Sequence, residues 1–266
     1  MQLITSILLL KSHQIAVLRT SLIGGILSNM HLMLGLGFLI GGLRYKEEKY
    51  NSTTSQIQGT LMLLAMTSLV IPTASRLLAN TTASGILSQS RVTSVILLAV
   101  YISFFFFQFN THNLLFMYEL GEQEEEEAEE EAAVTPKLHS VTICLLLLTG
   151  TTLIGFHAQF LTDSLNGLMA SAGLNSTFVG IVLLPIFSND LTAIRAGWTN
   201  HMDLCIMATL GKCIQTALLI IPVIVFVAWG MGIDGMTLDF GGFEIAALFA
   251  STLYVNFLIS NGRSNW

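Results

Sequence analysis

The stretch IVLLPIFSNDLTAIRAGWTNHMD, beginning at Ile181, places Ser188, Asn189, Asp190, Thr192 and Arg195 in an otherwise apolar run just past Pro185. Hydroxyl, carboxamide and carboxylate oxygens are the ligands that hard cations prefer, and a proline adds a helix carbonyl stripped of its usual donor. A helix broken at Pro185 would therefore line an ion site. Small polar residues tying neighbouring helices together account for Ser188 and Thr192, but poorly for Asp190 and Arg195, since ionisable groups are costly in a bilayer. A second polar cluster, Ser28, Asn29 and His31, lies in TSLIGGILSNMHLMLGLG. The later segment ATLGKCIQTALLI echoes it: setting Gly24 on Gly211 places Ile23 on Leu210, Leu27 on Ile214 and Ser28 on Gln215. Related halves of this kind mark many secondary transporters, whose sites form where the repeats meet. His157, in GFHAQFLTDS, is either a proton-transfer group or a hydrogen-bonded histidine at a helix end.

These polar residues need a scaffold, and the composition says which kind. Of 266 residues, 53% are hydrophobic and 11% charged, with a mean hydropathy of +0.70. An ordinary soluble enzyme is excluded. The net charge of −6 belongs to one tract: nine of the 17 acids lie between Glu119 and Glu131, and the remainder leaves 11 basic against 8 acidic residues. No nucleic-acid partner is expected from that balance. A bilayer span takes about 20 mostly apolar residues, and seven stretches qualify: Thr20 to Leu43, Ile57 to Leu78, Arg91 to Phe109, Leu138 to Phe160, Thr177 to Thr199, Asp203 to Gly230 and Gly241 to Ser260. Met1 to Leu10 adds a partial one, too short to cross alone. Gly24, Gly25, Gly35, Gly37, Gly180 and Gly211 are expected where helices approach closely. Cys144, Cys205 and Cys213 read as small buried hydrophobes. The acidic run, with Glu124, Glu125, Glu126, Glu127, Glu129, Glu130 and Glu131, is a solvated linker or a weak cation-sensing segment. No HExxH, GxGD or GxSxG arrangement lies in any span, so a membrane-embedded hydrolase has little support.

Several segments together resemble the vacuolar calcium/proton exchangers of the cation/calcium exchanger superfamily. They are ITSILLLKSHQIAVLRTSLIGGILSN, LGLGFLIGGLRYKEEKYN, the acidic tract, HAQFLTDSLNGLMASAGLNSTFVGIVLLPIFSN, MDLCIMATLGKCIQTALLIIP, MTLDF and NGRSNW, in family order. The resemblance implies an all-α integral membrane protein. It would be a polytopic helical bundle of two inverted-topology halves joined by an acidic linker, with about seven full spans plus one partial. Residues 1–109 would form the first half, 110–137 a cytosolic linker and 138–266 the second half. The implied function is calcium transport across a vacuolar or other endomembrane in exchange for protons. Calcium and protons are then transported ions, no cofactor is required, the lipid bilayer is the one other expected partner, and a homo-oligomer stays open.

In that family each half carries a Gly-Asn-x-x-Glu signature whose glutamates hold calcium or protons alternately. A carboxylate suits this because it ligates calcium when ionised and carries a proton when neutral. By this resemblance Gln2 stands at the first glutamate and Thr192 at the second, while Ser188 and Asn189 keep part of the signature. Gln159 replaces a further glutamate, and Arg195 and Lys212 bring positive charge. The helices that precede Gln2 and follow NGRSNW in the family are expected to be missing. The expected cation pathway is Gln2, Ser28, Asn29, Ser188, Asn189, Asp190, Thr192 and Gln215, with no metal site fixed with certainty and exchange impaired. The competing expectation is a non-transporting copy, or a membrane partner of a full-length exchanger.

Overall fold

The computed structural model describes residues 1–111, 140–189 and 191–265, so the acidic linker and Asp190 lie outside the described residues. The helices run α1 (Gln2–Lys11), α2 (Ile15–Arg44), α3 (Ser52–Ala79), α4 (Ala83–Asn110), α5 (Ser140–Ala172), α6 (Ser176–Ser188), α7 (Thr192–Trp198), α8 (Met202–Gly230) and α9 (Gly242–Ile259). Two short strands, β1 (Glu47–Lys49) and β2 (Arg263–Asn265), pair antiparallel, with Glu48 opposite Ser264. Helices prevail because a segment in hydrocarbon must satisfy its own N–H and C=O groups. Among the described residues six helices are long and apolar enough to cross a membrane, and α6 and α7 form a pair bent by 57° that is either a broken span or a re-entrant loop. Six of the expected spans overlap these six helices, α5 running on to Ala172 where Phe160 was the expected end, and the expected span Thr177 to Thr199 is instead two helices bent at a break.

Burial separates the centre from the rim. Half of the most apolar window of α2 and 61% of that of α8 are buried, against 11% for α4 and 6% for the α5 span. α2 and α8 therefore form the core, through Leu18, Leu22, Ile26, Leu210, Ile214, Ala217 and Ile221. The two central helices also share one irregularity. Each runs 14 regular residues (Ile15–Ser28, Met202–Gln215) and then a five-residue π turn (Asn29–Met33, Thr216–Ile220). Both features are offset by 187 residues, the offset that sets Gly24 on Gly211. The sequence echo thus extends into backbone geometry.

Prolines explain two of the wide turns. Pro185 and Pro222 each lie two residues beyond a π turn, Val179–Leu183 and Thr216–Ile220. A wider turn gives the ring room and absorbs the missing donor. Consequently the helix does not break at Pro185, as its sequence suggested, but at Asn189, whose extended backbone (φ −75°, ψ 147°) ends α6. Two other expectations change. Cys144 is exposed, in an α5 span whose most apolar window is only 6% buried among the described residues, while Cys205 and Cys213 are buried. Gly35 and Gly211 have open space around them; the close approaches are at Gly24, Gly25, Gly37 and Gly180.

Polar ties hold the two ends of the bundle. At one end Arg44 Nη1 donates to the Trp198 carbonyl (3.1 Å), its guanidinium lies 4.7 Å from the Trp198 ring centroid, and the Asn51 N–H donates to Asp203 Oδ1 (2.6 Å). At the other, the segment MTLDF folds inward: Met236, Leu238 and Phe240 are buried, while Thr237 and Asp239 meet Arg19 and Arg76. Asn51 and Asn175, which begin glycosylation-type triplets, cap α3 and α6 by accepting from Thr53 and Thr177 N–H groups, and Asn80 ends α3 in the left-handed region.

Thr73, buried in α3, bonds both sides of the inward segment, donating to the Leu238 carbonyl (3.3 Å) and accepting from the Phe240 N–H (3.0 Å). Thr73→Val keeps the shape but leaves two buried backbone groups unsatisfied. We expect a loss of about 2 kcal/mol, read as a lowered midpoint in detergent unfolding, with a change below about 0.5 kcal/mol counting against the assignment.

Candidate functional site

α1, α2, α6 and α8 converge on a cavity of about 460 Å³, lined by Gln2, Gly25, Asn29, Ser188, Asn189, Lys212, Gln215 and Thr216 with apolar Leu3, Leu219, Ile220 and Val223. Each polar group arrives for a local reason. Gln2 is the first residue of α1, and its amide nitrogen sits where a side chain on Gly25 would be. Asn29 opens the π turn of α2 and donates to the Gly25 carbonyl (2.9 Å), which holds its amide at the wall. Thr216, at the matching place in α8, donates to Gln2 Oε1 (3.0 Å). Asn189, released where α6 ends, donates from Nδ2 to Ser28 Oγ (2.6 Å) and so ties the helix break to α2.

Gln2, Asn29, Ser188, Asn189 and Gln215 thus share one wall system, and Ser28 adjoins it through Asn189. Ser188 turns back to the Pro185 carbonyl (3.1 Å) and also lines a smaller recess of about 30 Å³ with Gln2, Thr5, Ser6 and Ser21. Thr192 is elsewhere: it is the first residue of α7, exposed, and not among the cavity's lining residues. Arg195 is exposed on the same short helix, and Asp190 lies outside the described residues. His157 and Gln159 are exposed on α5. His31 pairs through Nε2 with Ser251 Oγ (2.7 Å), a bond between helices rather than a lining group.

Sequence reasoning missed Thr216 and Gly25. The signal for Thr216 was available, because the 187-residue offset makes it the counterpart of Asn29. Gly25 carried no such signal beyond the stripe of small residues.

The chemistry of this wall is specific. Among the described lining residues, which include Met1, oxygen acceptors come from carboxamides and hydroxyls, the one charged side chain is the Lys212 ammonium, and no carboxylate appears. Such a wall can share weak ligands with a partly hydrated cation, but its described side chains include no carboxylate to exchange a proton for a metal ion.

A sequence model of the family described as sodium/calcium exchanger protein matches residues 1–110 and 142–266. The chain is 33% identical over 276 residues to a Ca(2+)/H(+) antiporter of Aphanothece halophytica, covering all of this chain and 73% of that protein. It is 32% identical to vacuolar cation/proton exchanger 2 of Oryza sativa subsp. japonica and 30% identical to a vacuolar calcium ion transporter of Cryptococcus neoformans var. grubii, spanning 62% and 58% of those proteins. Among solved structures, native YfkE superposes with a TM-score of 0.79 at 24% identity over the whole chain and 74% of that structure, a likeness of fold.

Proposed function

The chain belongs to the sodium/calcium exchanger protein family, and from that premise we propose that it is a multi-pass cation antiporter of a vacuolar or similar endomembrane, built to exchange calcium for protons but with that exchange weakened at its ion site. The observation that carries the reading is the position of the cavity: it lies where the broken path α6–α7 meets the two repeated helices α2 and α8, near their π turns. Interrupted helices at a repeat interface are the usual location of a secondary transporter's site. Gln2, Asn29, Ser188, Asn189 and Gln215 are proposed as the pathway, with Ser28 positioning Asn189. The halves proposed from the sequence, residues 1–109 and 138–266, contain one π-turned central helix each, and the linker between them is proposed to face the cytosol.

The weakening follows from charge. A carboxylate 4 Å from a unit charge contributes roughly 4 kcal/mol at an effective dielectric of 20, and the described wall has none while Lys212 contributes the opposite sign. The same observation favours a second reading, a membrane partner of a complete exchanger that does not itself transport. Calcium uptake into proteoliposomes driven by a pH gradient separates them. The antiporter reading expects protonophore-sensitive uptake about a hundredfold below that of the Aphanothece halophytica relative. Uptake at the relative's level would overturn the weakened site, and a chain silent both as it stands and after a carboxylate is returned to the cavity would leave the partner reading.

A further inference from the structure

Away from the cavity, at the end of the bundle carrying β1 and β2, Glu48 sits in an environment unlike that of its charged neighbours. It is 1% exposed, and among the described residues neither carboxylate oxygen has a hydrogen-bond partner. The side chain packs against the backbone of Gly41, where any Cβ would collide with its carboxyl group. Directly opposite across the ladder is Ser264, so the strand pair closes over the buried acid. The surrounding groups give it little compensation. The thiol Cys205 of α8 is its one titratable neighbour shown by their mutual electrostatics, while elsewhere at this end of the bundle Asp203 of α8 accepts the Asn51 N–H and Arg44 of α2 donates to the Trp198 carbonyl. On β1 the flanking Glu47 and Lys49 are exposed, and Arg263 of β2 reaches Glu47 at 3.8 Å. Tyr50, next along, packs into the core, and burial with the nearby Asp203 raises its hydroxyl's pKa.

We propose that Glu48 is a proton-binding site, separate from the ion cavity, whose protonation latches the β1–β2 clasp shut. An uncharged carboxyl is tolerated in that apolar niche, whereas a buried carboxylate with no partner is costly and is relieved when the clasp lets it reach water. Burial pushes the Glu48 carboxyl up to about 7 from an ordinary 4.5. The closed clasp therefore binds the proton more tightly than the open one. The stabilisation is complete below about 4.5, is lost as pH rises toward 7, and changes no further above it. From these two values the open-to-closed ratio should rise about tenfold between pH 6 and pH 8. The ligand is a proton, and the site reads the pH of the solution bathing that end of the bundle.

Hydrogen exchange on the full chain in detergent or nanodiscs tests this, using protection factors corrected for the intrinsic pH dependence of exchange. Segments 45–51 and 261–265 should lose protection about tenfold from pH 6 to pH 8, while α8 should not. Glu48→Gln, uncharged at every pH, should keep both segments protected throughout. Gly41→Ala gives an independent route, because its methyl expels the carboxyl from the niche and should abolish the pH dependence with Glu48 still present. Equal pH slopes in the unsubstituted chain and in Glu48→Gln, or no slope in the unsubstituted chain, would overturn the proposal. If Glu48→Gln fails to fold, Gly41→Ala decides alone.

Discussion

Gln2→Glu is expected to strengthen calcium binding about a hundredfold, roughly 3 kcal/mol, and to restore pH-driven uptake. The substitution is nearly isosteric. The new carboxylate can still accept the Thr216 hydroxyl at the position of Gln2 Oε1, and it faces the cavity shared by Asn29, Asn189 and Gln215. It supplies both things the wall lacks, a charged oxygen for the cation and a group that gives up its ligand role on taking a proton. The expected gain is below the full interaction of a carboxylate with a doubly charged ion because desolvation and Lys212 oppose it. Isotope uptake and calorimetry at matched ionic strength measure it. Thr192→Glu provides the contrast. Family register makes it the equivalent change, but Thr192 is exposed on α7 and absent from the lining, so its effect should stay under about tenfold. Equal gains from the two would show that the cavity is not where the cation sits, and no gain from Gln2→Glu would end the case for Gln2 as a pathway residue.

The largest stability effect should come from the crossing of α2 over α6. A methyl on Gly24 would lie 2.5 Å from Ile181 Cα and 2.6 Å from its carbonyl oxygen, and one on Gly180 would meet Thr20 Cβ at 2.7 Å and the Ser21 nitrogen at 3.0 Å. The contact at Gly24 is with backbone, which cannot rotate away, so two helices must separate. Gly24→Ala is expected to cost about 3 kcal/mol. Adding Gly180→Ala should cost less than the sum of the two single changes, since one separation relieves both. Gly211→Ala is the control: no described residue lies within 4 Å, and removing a helix-interior glycine should be neutral or stabilising by about 0.5 kcal/mol. Equilibrium unfolding in mixed micelles reads all four, and a Gly24→Ala protein as stable as Gly211→Ala would show that the crossing is loose. Because Asn189 reaches Ser28 across this same crossing, the Gly24 variant should also weaken whatever the cavity binds.

What the sequence disclosed follows from the physics of each signal. Spans were legible because a bilayer demands about 20 apolar residues in a row, a constraint independent of neighbours. The broken path was legible in its existence through Ser188, Asn189 and Pro185, yet not in its position, because a π turn rehabilitated the proline and moved the break to Asn189. The glycines were legible as a class only; which of them touch another backbone depends on where helices cross, so Gly24 and Gly211 look alike in sequence and behave differently. In the cavity, Gln2, Asn29, Asn189 and Gln215 could be proposed from residue type and family register, while Thr192 could not be excluded without knowing where α7 points. Glu48 left no trace: among the charges of RYKEEK it reads as one more solvated residue, and only the closure of a strand from the far end of the chain buries it.

That closure has a consequence for how the molecule is made. The ladder joins Glu47 to Asn265, so one strand leaves the ribosome more than 200 residues before its partner exists. Contacts so distant along the chain carry the greatest loop-closure cost and form late. The helices can enter the bilayer one after another during synthesis, but Glu48 has no shelter until the chain has been inserted as far as Asn265. A nascent chain arrested before Gly262 should therefore present the 45–51 segment to a protease that cannot reach it once residues 263–265 have paired, which makes the clasp a timestamp for synthesis past that point.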